Sequence, residues 1–179
     1  MPDKIKILAI SGSTRANSSN LNLIKAIANL ATDIFTINIF EGLADIPHFN
    51  PDNDNENVPQ QVIDFRRQIK ETDGVLICTP EYAMGVPGTL KNAIDWTVSS
   101  MEFSRKPVAL ITASTSGEKA HQSLLGTLQI IEAKMTDDTQ LVIPFIKTKM
   151  KDGKITDEQT LNRINELVKS LTDIIVKRK

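Results

Sequence analysis

A group of small and polar side chains lies at residues 11–20, which read SGSTRANSSN. The residues that follow have the apolar spacing of a helix. A helix N-terminus attracts anions, because its first amide groups are unpaired and its dipole potential is positive. A guanidinium suits phosphate because its planar fork can donate two hydrogen bonds at once. The segment therefore predicts an anion site whose donors are Ser11, Ser13, Thr14, Arg15, Ser18, Ser19 and Asn20.

The same segment also has a purely structural interpretation. Ser18 or Ser19 is expected to cap the following helix while the other polar residues only solvate the loop. Gly12 permits a tight turn or a positive φ. Two well-known phosphate motifs, G-x-G-x-x-G and G-x-x-x-x-G-K-[ST], are absent from the sequence. A Rossmann dinucleotide site and a nucleoside triphosphatase loop are therefore excluded.

Two further loops carry the remaining candidate residues. Residues 80–88 read PEYAMGVPG, in which proline and glycine favour a rigid backbone that a ligand can approach closely. Such a backbone edge can present amides and carbonyls to a flat heterocycle, although a simple strand-to-helix turn is the alternative. Residues 114–117 read STSG and can close a third side. The candidates from these two loops are Pro80, Glu81, Tyr82, Ala83, Met84, Gly85, Ser114, Ser116 and Gly117.

The elements that must position these loops follow from the hydrophobic pattern. Short apolar runs predict strands at residues 5–10, 34–40, 74–79, 108–113 and 141–146. Apolar residues spaced three or four apart predict a helix after each strand, including one over residues 89–100. In the last helix, Thr156 and Gln159 fit a capping box. Pro144 restricts the fifth strand to an edge position or a bulge.

Alternation of five strands with five helices predicts an α/β fold with a doubly wound parallel sheet and helices on both faces. In such a sheet, ligands bind outside the carboxyl ends of the strands, where the strand order reverses. The three polar loops follow strands 1, 3 and 4. They are therefore predicted to meet at one edge of the sheet.

Composition limits the classes of function. The 179 residues are expected to form a single domain, residues 1–179, and their charges nearly cancel, with 21 Lys and Arg against 22 Asp and Glu. This balance argues against a nucleic-acid partner. Cys78 is the only cysteine, so neither an internal disulfide nor a thiolate metal site is expected. No secretion signal and no membrane span are recognised, so we expect a cytoplasmic protein with no membrane partner.

Two longer patterns extend this interpretation. The pattern G-S-x-R-x-x-S-x-N is matched by Gly12, Ser13, Arg15, Ser18 and Asn20. The pattern P-E-Y-N-x-S-x-P-G-x-L-K-N-A-I-D-W is matched by residues 80–96, except that Ala83 and Gly85 replace its Asn and Ser. With residues 45–50 (DIPHFN), these motifs resemble the NAD(P)H-dependent FMN reductase family over about residues 5–147.

This resemblance implies a flavodoxin-like fold of strand order 2-1-3-4-5 that binds FMN and uses NADPH or NADH as co-substrate. Ser13, Arg15, Ser18 and Asn20 would hold the FMN phosphate, and residues 81–85 and 114–117 would lie along the ring. The replacements at Ala83 and Gly85 leave backbone contacts in place but remove two side chains near the ring. Members of the family are commonly dimers or tetramers, so a homodimer or homotetramer is expected.

The implied reaction is a ping-pong cycle in which FMN takes hydride from NAD(P)H and then reduces a small-molecule electron acceptor. Quinones, azo compounds, nitroaromatics, metal oxyanions and free flavin are all candidate acceptors. The cofactor carries the chemistry, so no residue is nominated as catalytic acid or base. One alternative is a flavodoxin-type FMN electron carrier without its own NAD(P)H activity. Such a carrier is expected to dock on protein partners through a strongly acidic surface, which a net charge of −1 does not offer. A flavin-free phosphoester-binding or phosphoester-hydrolysing domain is the second alternative.

Overall fold

One parallel sheet organises the protein. A computed structural model describes residues 4–178 and places five strands in the order β2-β1-β3-β4-β5. This order confirms the predicted doubly wound, flavodoxin-like topology. Each strand begins and ends within two residues of its predicted bounds. The strands are β1 (Ile5–Ser11), β2 (Phe35–Phe40), β3 (Gly74–Thr79), β4 (Val108–Ser114) and β5 (Gln140–Pro144).

Helices cover both faces of this sheet. Side chains alternate along each strand, so Ile7 and Ala9 pack with the first and last helices, whereas Leu8 and Ile10 pack with the three helices between them in the chain. Because neither face of the sheet is wet, the central strands are apolar almost throughout. The five helices are α1 (Ser19–Leu30), α2 (Gln60–Glu71), α3 (Gly88–Asp95), α4 (Glu118–Ile130) and α5 (Glu158–Arg178).

The position of Pro144 agrees with its prediction. It is the last residue of β5, which pairs only with β4 and forms one edge of the sheet. A proline is tolerated there because an edge strand has one side without ladder hydrogen bonds.

Helix α3 is shorter than the sequence predicts. The predicted helix runs to residue 100, whereas α3 ends at Asp95 and is followed by turns, which leave Val98 exposed. Arg66 of α2 donates to the carbonyl of Trp96, and the hydroxyls of Thr97 and Ser100 donate to carbonyls one turn back. These donors take carbonyl oxygens that a continuing helix needs, and so they favour its end at this point.

The start of α5 also differs from prediction. The proposed capping box of Thr156 and Gln159 is wrong, because the Oδ2 atom of Asp157 accepts the backbone N–H of Thr160 at 2.9 Å and caps the helix. Thr156 instead donates to the carbonyl of Lys149. It thereby closes an unpredicted hairpin of β6 (Met150–Lys151) and β7 (Lys154–Ile155).

Candidate functional site

The point where the strand order reverses lies between β1 and β3. Ser11 is in register with Cys78, and the N–H of Gly12 donates to the carbonyl of Cys78 at 2.8 Å. The loops after β1, β3 and β4 therefore meet at one edge, as the sequence predicts. They line a cleft of about 330 Å³. Sites for small molecules commonly have this size, roughly 300–1,000 Å³.

Most of the residues nominated from the sequence line this cleft, but not all of them do. The nominated residues in its wall are Ser13, Arg15, Ser18, Ser19, Asn20, Pro80, Glu81, Tyr82 and Ser114. Ser11 and Thr14 line a separate depression that shares Ser13 and Arg15 with the cleft. Ala83, Met84, Gly85, Ser116 and Gly117 belong to the same loops but are outside the lining of the cleft.

The loop after β1 presents a cluster of backbone donors. Ser18 caps α1, because its hydroxyl accepts the backbone N–H of Leu21 at 3.3 Å. The backbone N–H groups of residues 13, 14 and 16–20, which we call the amide cluster, donate to no acceptor within residues 4–178. The Arg15 side chain is exposed beside these amides and makes no ion pair within residues 4–178. Unpaired amides, a helix dipole and a free cation together are able to bind an anion.

Gly12 is required for close packing rather than for a positive φ, since its φ is outside the left-handed region. A Cβ atom at this position would lie 2.4 Å from Oγ1 and 2.8 Å from Cβ of Thr79, which is fully buried. Only glycine therefore allows the amide cluster to lie this close to the end of β3.

Asn20 connects three elements at the floor of the cleft. Its side-chain nitrogen donates to the carbonyl of Ala113 at 3.1 Å, and its side-chain oxygen accepts the thiol of Cys78 at 3.2 Å. Both Asn20 and Cys78 are buried, and burial raises the pKa of the Cys78 thiol. Asn20 therefore holds the N-terminus of α1 against the ends of β3 and β4. The sequence analysis nominated Asn20 only as a hydrogen-bond donor to phosphate and did not reveal its contacts with Ala113 and Cys78.

The loop after β3 turns sharply beyond the cleft. Tyr82 and Gly85 exchange backbone hydrogen bonds of 2.8 and 3.0 Å, and the two residues between them have left-handed backbones. The φ angle is 49° at Ala83 and 63° at Met84. Such turns favour Asn-Gly, because glycine has no Cβ atom and the short polar side chain of asparagine tolerates a positive φ better than alanine does. The replacement of Asn by Ala at position 83 therefore places strain in the loop.

Ala83→Asn is expected to raise stability by about 1 kcal/mol, since asparagine tolerates the left-handed region better than alanine does. For a chain of this size, the melting temperature is expected to rise by about 2–4 °C. Ala44→Asn is a matched control, because Ala44 is exposed in a short 3-10 turn and has no positive φ. Equal melting temperatures for the Ala83→Asn variant and the parent in differential scanning calorimetry would mean that the turn is not strained.

Glu81 joins the loop after β3 to the loop after β4. Its carboxylate accepts the backbone N–H of Ala120 and the hydroxyl of Ser116, each at 2.9 Å. The N–H of Ala120 lowers the pKa of Glu81, burial opposes this in part, and the Ser116 hydroxyl lowers it further. The carboxylate thus caps the N-terminus of α4, next to Gly117 at φ 115°. Glu81 positions two walls of the cleft relative to each other.

Glu81→Gln is expected to destabilise the protein by about 1 kcal/mol at pH 7, because glutamine has one acceptor oxygen and no charge and therefore loses one of the two hydrogen bonds of the carboxylate. Because the folded-state pKa is lowered, the contribution of Glu81 is present at neutral pH. It is lost as the pH falls through the folded pKa. The melting-temperature difference between parent and variant should therefore shrink in acid. Glu118→Gln is the control, because Glu118 lies in the first turn of α4, which Glu81 caps, and its own carboxylate accepts no hydrogen bond within residues 4–178. An identical loss in both variants would contradict this role for Glu81.

One wall of the cleft was not predicted. Residues 145–148, which we call the β5 turn, line the cleft after the end of β5. Phe145 is 60% exposed, and Lys147 and Thr148 are also exposed. The sequence held one signal for this wall, because these residues directly follow a predicted strand. The other three loops of the cleft likewise follow strands of the same parallel sheet.

The remaining candidates for chemistry lie elsewhere. His121 is buried in α4, with its ring nitrogens beside Thr112 Oγ1 and Gln140 Oε1, and burial lowers its pKa. His48 is exposed. Within the described residues, no three His, Cys, Asp or Glu side chains are grouped to hold a metal ion. In residues 4–178, no helix is long and apolar enough to cross a membrane.

Comparison with known proteins identifies the family. The family model described as NADPH-dependent FMN reductase matches residues 5–148. The chain belongs to this family. Every loop of the cleft falls within the matched residues, including the β5 turn.

Individual known proteins resemble nearly the whole chain. A quinone reductase of Escherichia coli (strain K12) is 30% identical over 172 residues, which cover 92% of each protein. An NAD(P)H-dependent FMN reductase of Pseudomonas aeruginosa is 31% identical over 177 residues, 96% of this chain and 95% of that protein. The solved structure of the flavoenzyme NAD(P)H:(acceptor) oxidoreductase of Paracoccus denitrificans is 27% identical, with a TM-score of 0.79 over 97% of this chain and 98% of that one. The present chain is thus an oxidoreductase of this family.

Proposed function

We propose that this protein is an FMN-dependent NAD(P)H oxidoreductase that reduces a small-molecule acceptor in a ping-pong cycle. The observation that supports this most strongly is the amide cluster with Arg15 at the N-terminus of α1. These donors fit a phosphate monoester, because it offers several strong acceptor oxygens and nearly two negative charges at neutral pH. In this proposal Ser13, Ser18 and Arg15 bind the phosphate. Asn20 holds the N-terminus of α1 in position.

The flavin ring is proposed to lie along the other half of the cleft. Pro80, Glu81 and Tyr82 form one wall there, and Ser114 belongs to another. The hydrogen bonds of Glu81 hold these walls together, so the ring site is preorganised before a ligand enters. Tyr82 is 48% exposed, which leaves the mouth of the cleft open to a second ligand. When bound there, FMN would supply the hydride and two-electron transfer between NAD(P)H and the acceptor.

A quinone is the first acceptor to test. The Escherichia coli relative is named a quinone reductase, and its similarity extends over 92% of this chain. Azo compounds, nitroaromatics, metal oxyanions and free flavin complete the panel.

We also propose that the chain forms a single domain, acts in the cytoplasm and assembles as a homodimer or homotetramer. Light scattering of the purified protein measures this oligomeric state directly.

The deciding experiment begins with the absorbance spectrum of the purified protein before and after addition of FMN. Anaerobic stopped-flow mixing with NADPH or NADH should then bleach the flavin absorbance, and a quinone should restore it. Flavin that binds but stays oxidised with both nicotinamides would favour the electron-carrier alternative. A protein that remains colourless after FMN is added and the unbound flavin is removed would favour the phosphoester alternative.

A further inference from the structure

The β5 turn is held firmly against the loop after β4. Ser114 is in register with Pro144, and the N–H of Phe145 donates to the carbonyl of Thr115 at 3.4 Å. The turn itself is closed by bonds from the N–H and the hydroxyl of Thr148 to the carbonyl of Phe145, both at 2.9 Å. These contacts place the turn beside the cleft as a rigid element rather than as a loose connection.

A buried residue anchors the same turn to the hydrophobic core. Ile146 is 3% exposed and packs in the core on the face of the sheet that α1 and α5 cover. Because Ile146 is buried, the backbone of the neighbouring Lys147 is fixed. The side chain of Lys147 is exposed and remains free to reach a ligand. A fixed backbone lowers the conformational entropy that binding would otherwise cost.

Lys147 is a second cation in the lining of the cleft, beside Arg15 of the loop after β1. It lines the cleft together with Ser18 and Arg15, and it also borders a depression beside Ser19 and Asn22 of α1. Within residues 4–178 neither Lys147 nor Arg15 forms an ion pair. The amide cluster therefore has one unpaired cation from the loop after β1 and another from the β5 turn.

We propose that Lys147 binds the phosphate of the cofactor opposite Arg15 and makes the cleft selective for phosphorylated flavin over riboflavin. This inference rests on the proposed function. A phosphate monoester carries nearly two negative charges at neutral pH. The helix dipole and Arg15 together supply about one and a half positive charges, because a helix N-terminus is equivalent to roughly half a charge. A doubly charged phosphate therefore exceeds these two sources by about half a charge, which the full charge of Lys147 more than balances.

The test compares FMN and riboflavin binding to the flavin-free parent and to Lys147→Met, measured by quenching of flavin fluorescence. We expect FMN to bind the variant about 10-fold more weakly, since a hydrogen bond to a charged group contributes roughly 1.5 kcal/mol. Riboflavin, which lacks the phosphate, should bind both proteins within twofold. Lys147→Arg should recover most of the FMN affinity because it keeps the charge.

Lys151→Met is the matched control. Lys151 is an exposed lysine on the nearby β6 strand that borders the depression beside Ser19 but not the cleft. An equal loss of FMN affinity in this control would overturn the proposal, because general attraction by nearby positive charge would then account for the effect. Unchanged FMN affinity in Lys147→Met, or an equal loss for riboflavin, would also overturn it.

A second measurement separates this inference from the proposed function. Inorganic phosphate that binds the folded protein should raise the melting temperature of the flavin-free parent. The rise should be smaller in Lys147→Met and unchanged in Lys151→Met. If the parent responds in this way but binds no FMN, the proposed function fails while the phosphate role of Lys147 stands. If the phosphate response is the same in all three proteins, the role of Lys147 fails.

Discussion

Replacing Arg15 with alanine is expected to weaken FMN binding by about 100-fold. The guanidinium can donate two charge-assisted hydrogen bonds to the phosphate, and hydrogen bonds of this kind contribute roughly 1.5–3 kcal/mol each. A total loss of about 3 kcal/mol corresponds to a factor of about 100 in the dissociation constant. Arg15 is exposed and has no ion pair within the described residues, so its removal should leave the fold intact. Titration of flavin fluorescence measures this effect.

Two comparisons make this result specific to the phosphate. Riboflavin should bind the Arg15→Ala variant as well as it binds the parent. Arg67→Ala removes an exposed arginine on α2 that is paired with Asp64 and Glu71, and it should leave FMN binding unchanged. If the Arg15→Ala protein retains FMN as tightly as the parent does, the phosphate is bound elsewhere and the assignment of the cleft is wrong.

Gly12→Ala is expected to have the second large effect, a loss of about 2–3 kcal/mol in folding stability. The new Cβ atom would lie 2.4 Å from Oγ1 and 2.8 Å from Cβ of Thr79, and 3.0 Å from Leu90. All of these atoms belong to fully buried side chains. Extra atoms in a closely packed region typically cost about 1–3 kcal/mol. The displaced loop should also lose affinity for FMN, because Gly12 precedes the amide cluster.

Gly126→Ala is the matched control for this substitution. Gly126 lies within α4, and a Cβ atom there would meet no atom within 4 Å. Alanine in a helix is more favourable than glycine by roughly 0.5–1 kcal/mol, so this variant should be slightly more stable than the parent. Urea denaturation followed by circular dichroism measures both changes. A Gly12→Ala protein as stable as the parent would show that the loop can move away from Thr79 at little cost.

The predicted elements agree well with the structure because their signals are local. An apolar run such as residues 74–79 needs two covered faces wherever it occurs, so five such runs separated by helices predict a parallel sheet. The same logic places the loops after β1, β3 and β4 at one edge. The errors were at the ends of elements and at the hairpin of β6 and β7, which was not predicted. The contact that helps to end α3, from Arg66 to the carbonyl of Trp96, joins residues 30 positions apart in the chain.

The proposed anion site is also predicted from the order of the residues. Donors such as Ser13 and Arg15 directly precede a helix, and the amides of a helix N-terminus are unpaired in every helix. What the order of residues does not reveal is which donors remain available. Asn20 contacts Ala113 and Cys78, and the Glu81 carboxylate contacts Ser116 and Ala120. These contacts depend on how separate strands and helices pack.

The amino-acid sequence alone therefore determined the layered α/β fold, the strand order through its resemblance to the NADPH-dependent FMN reductase family, and three of the four loops that form the cleft. Hydrophobic periodicity and short motifs act over a few residues, so they can be recognised without coordinates. Only the tertiary structure revealed the β5 turn as a fourth wall, the close approach that requires Gly12, and the bridge made by Glu81. Each of these depends on the register and packing of segments far apart in the chain.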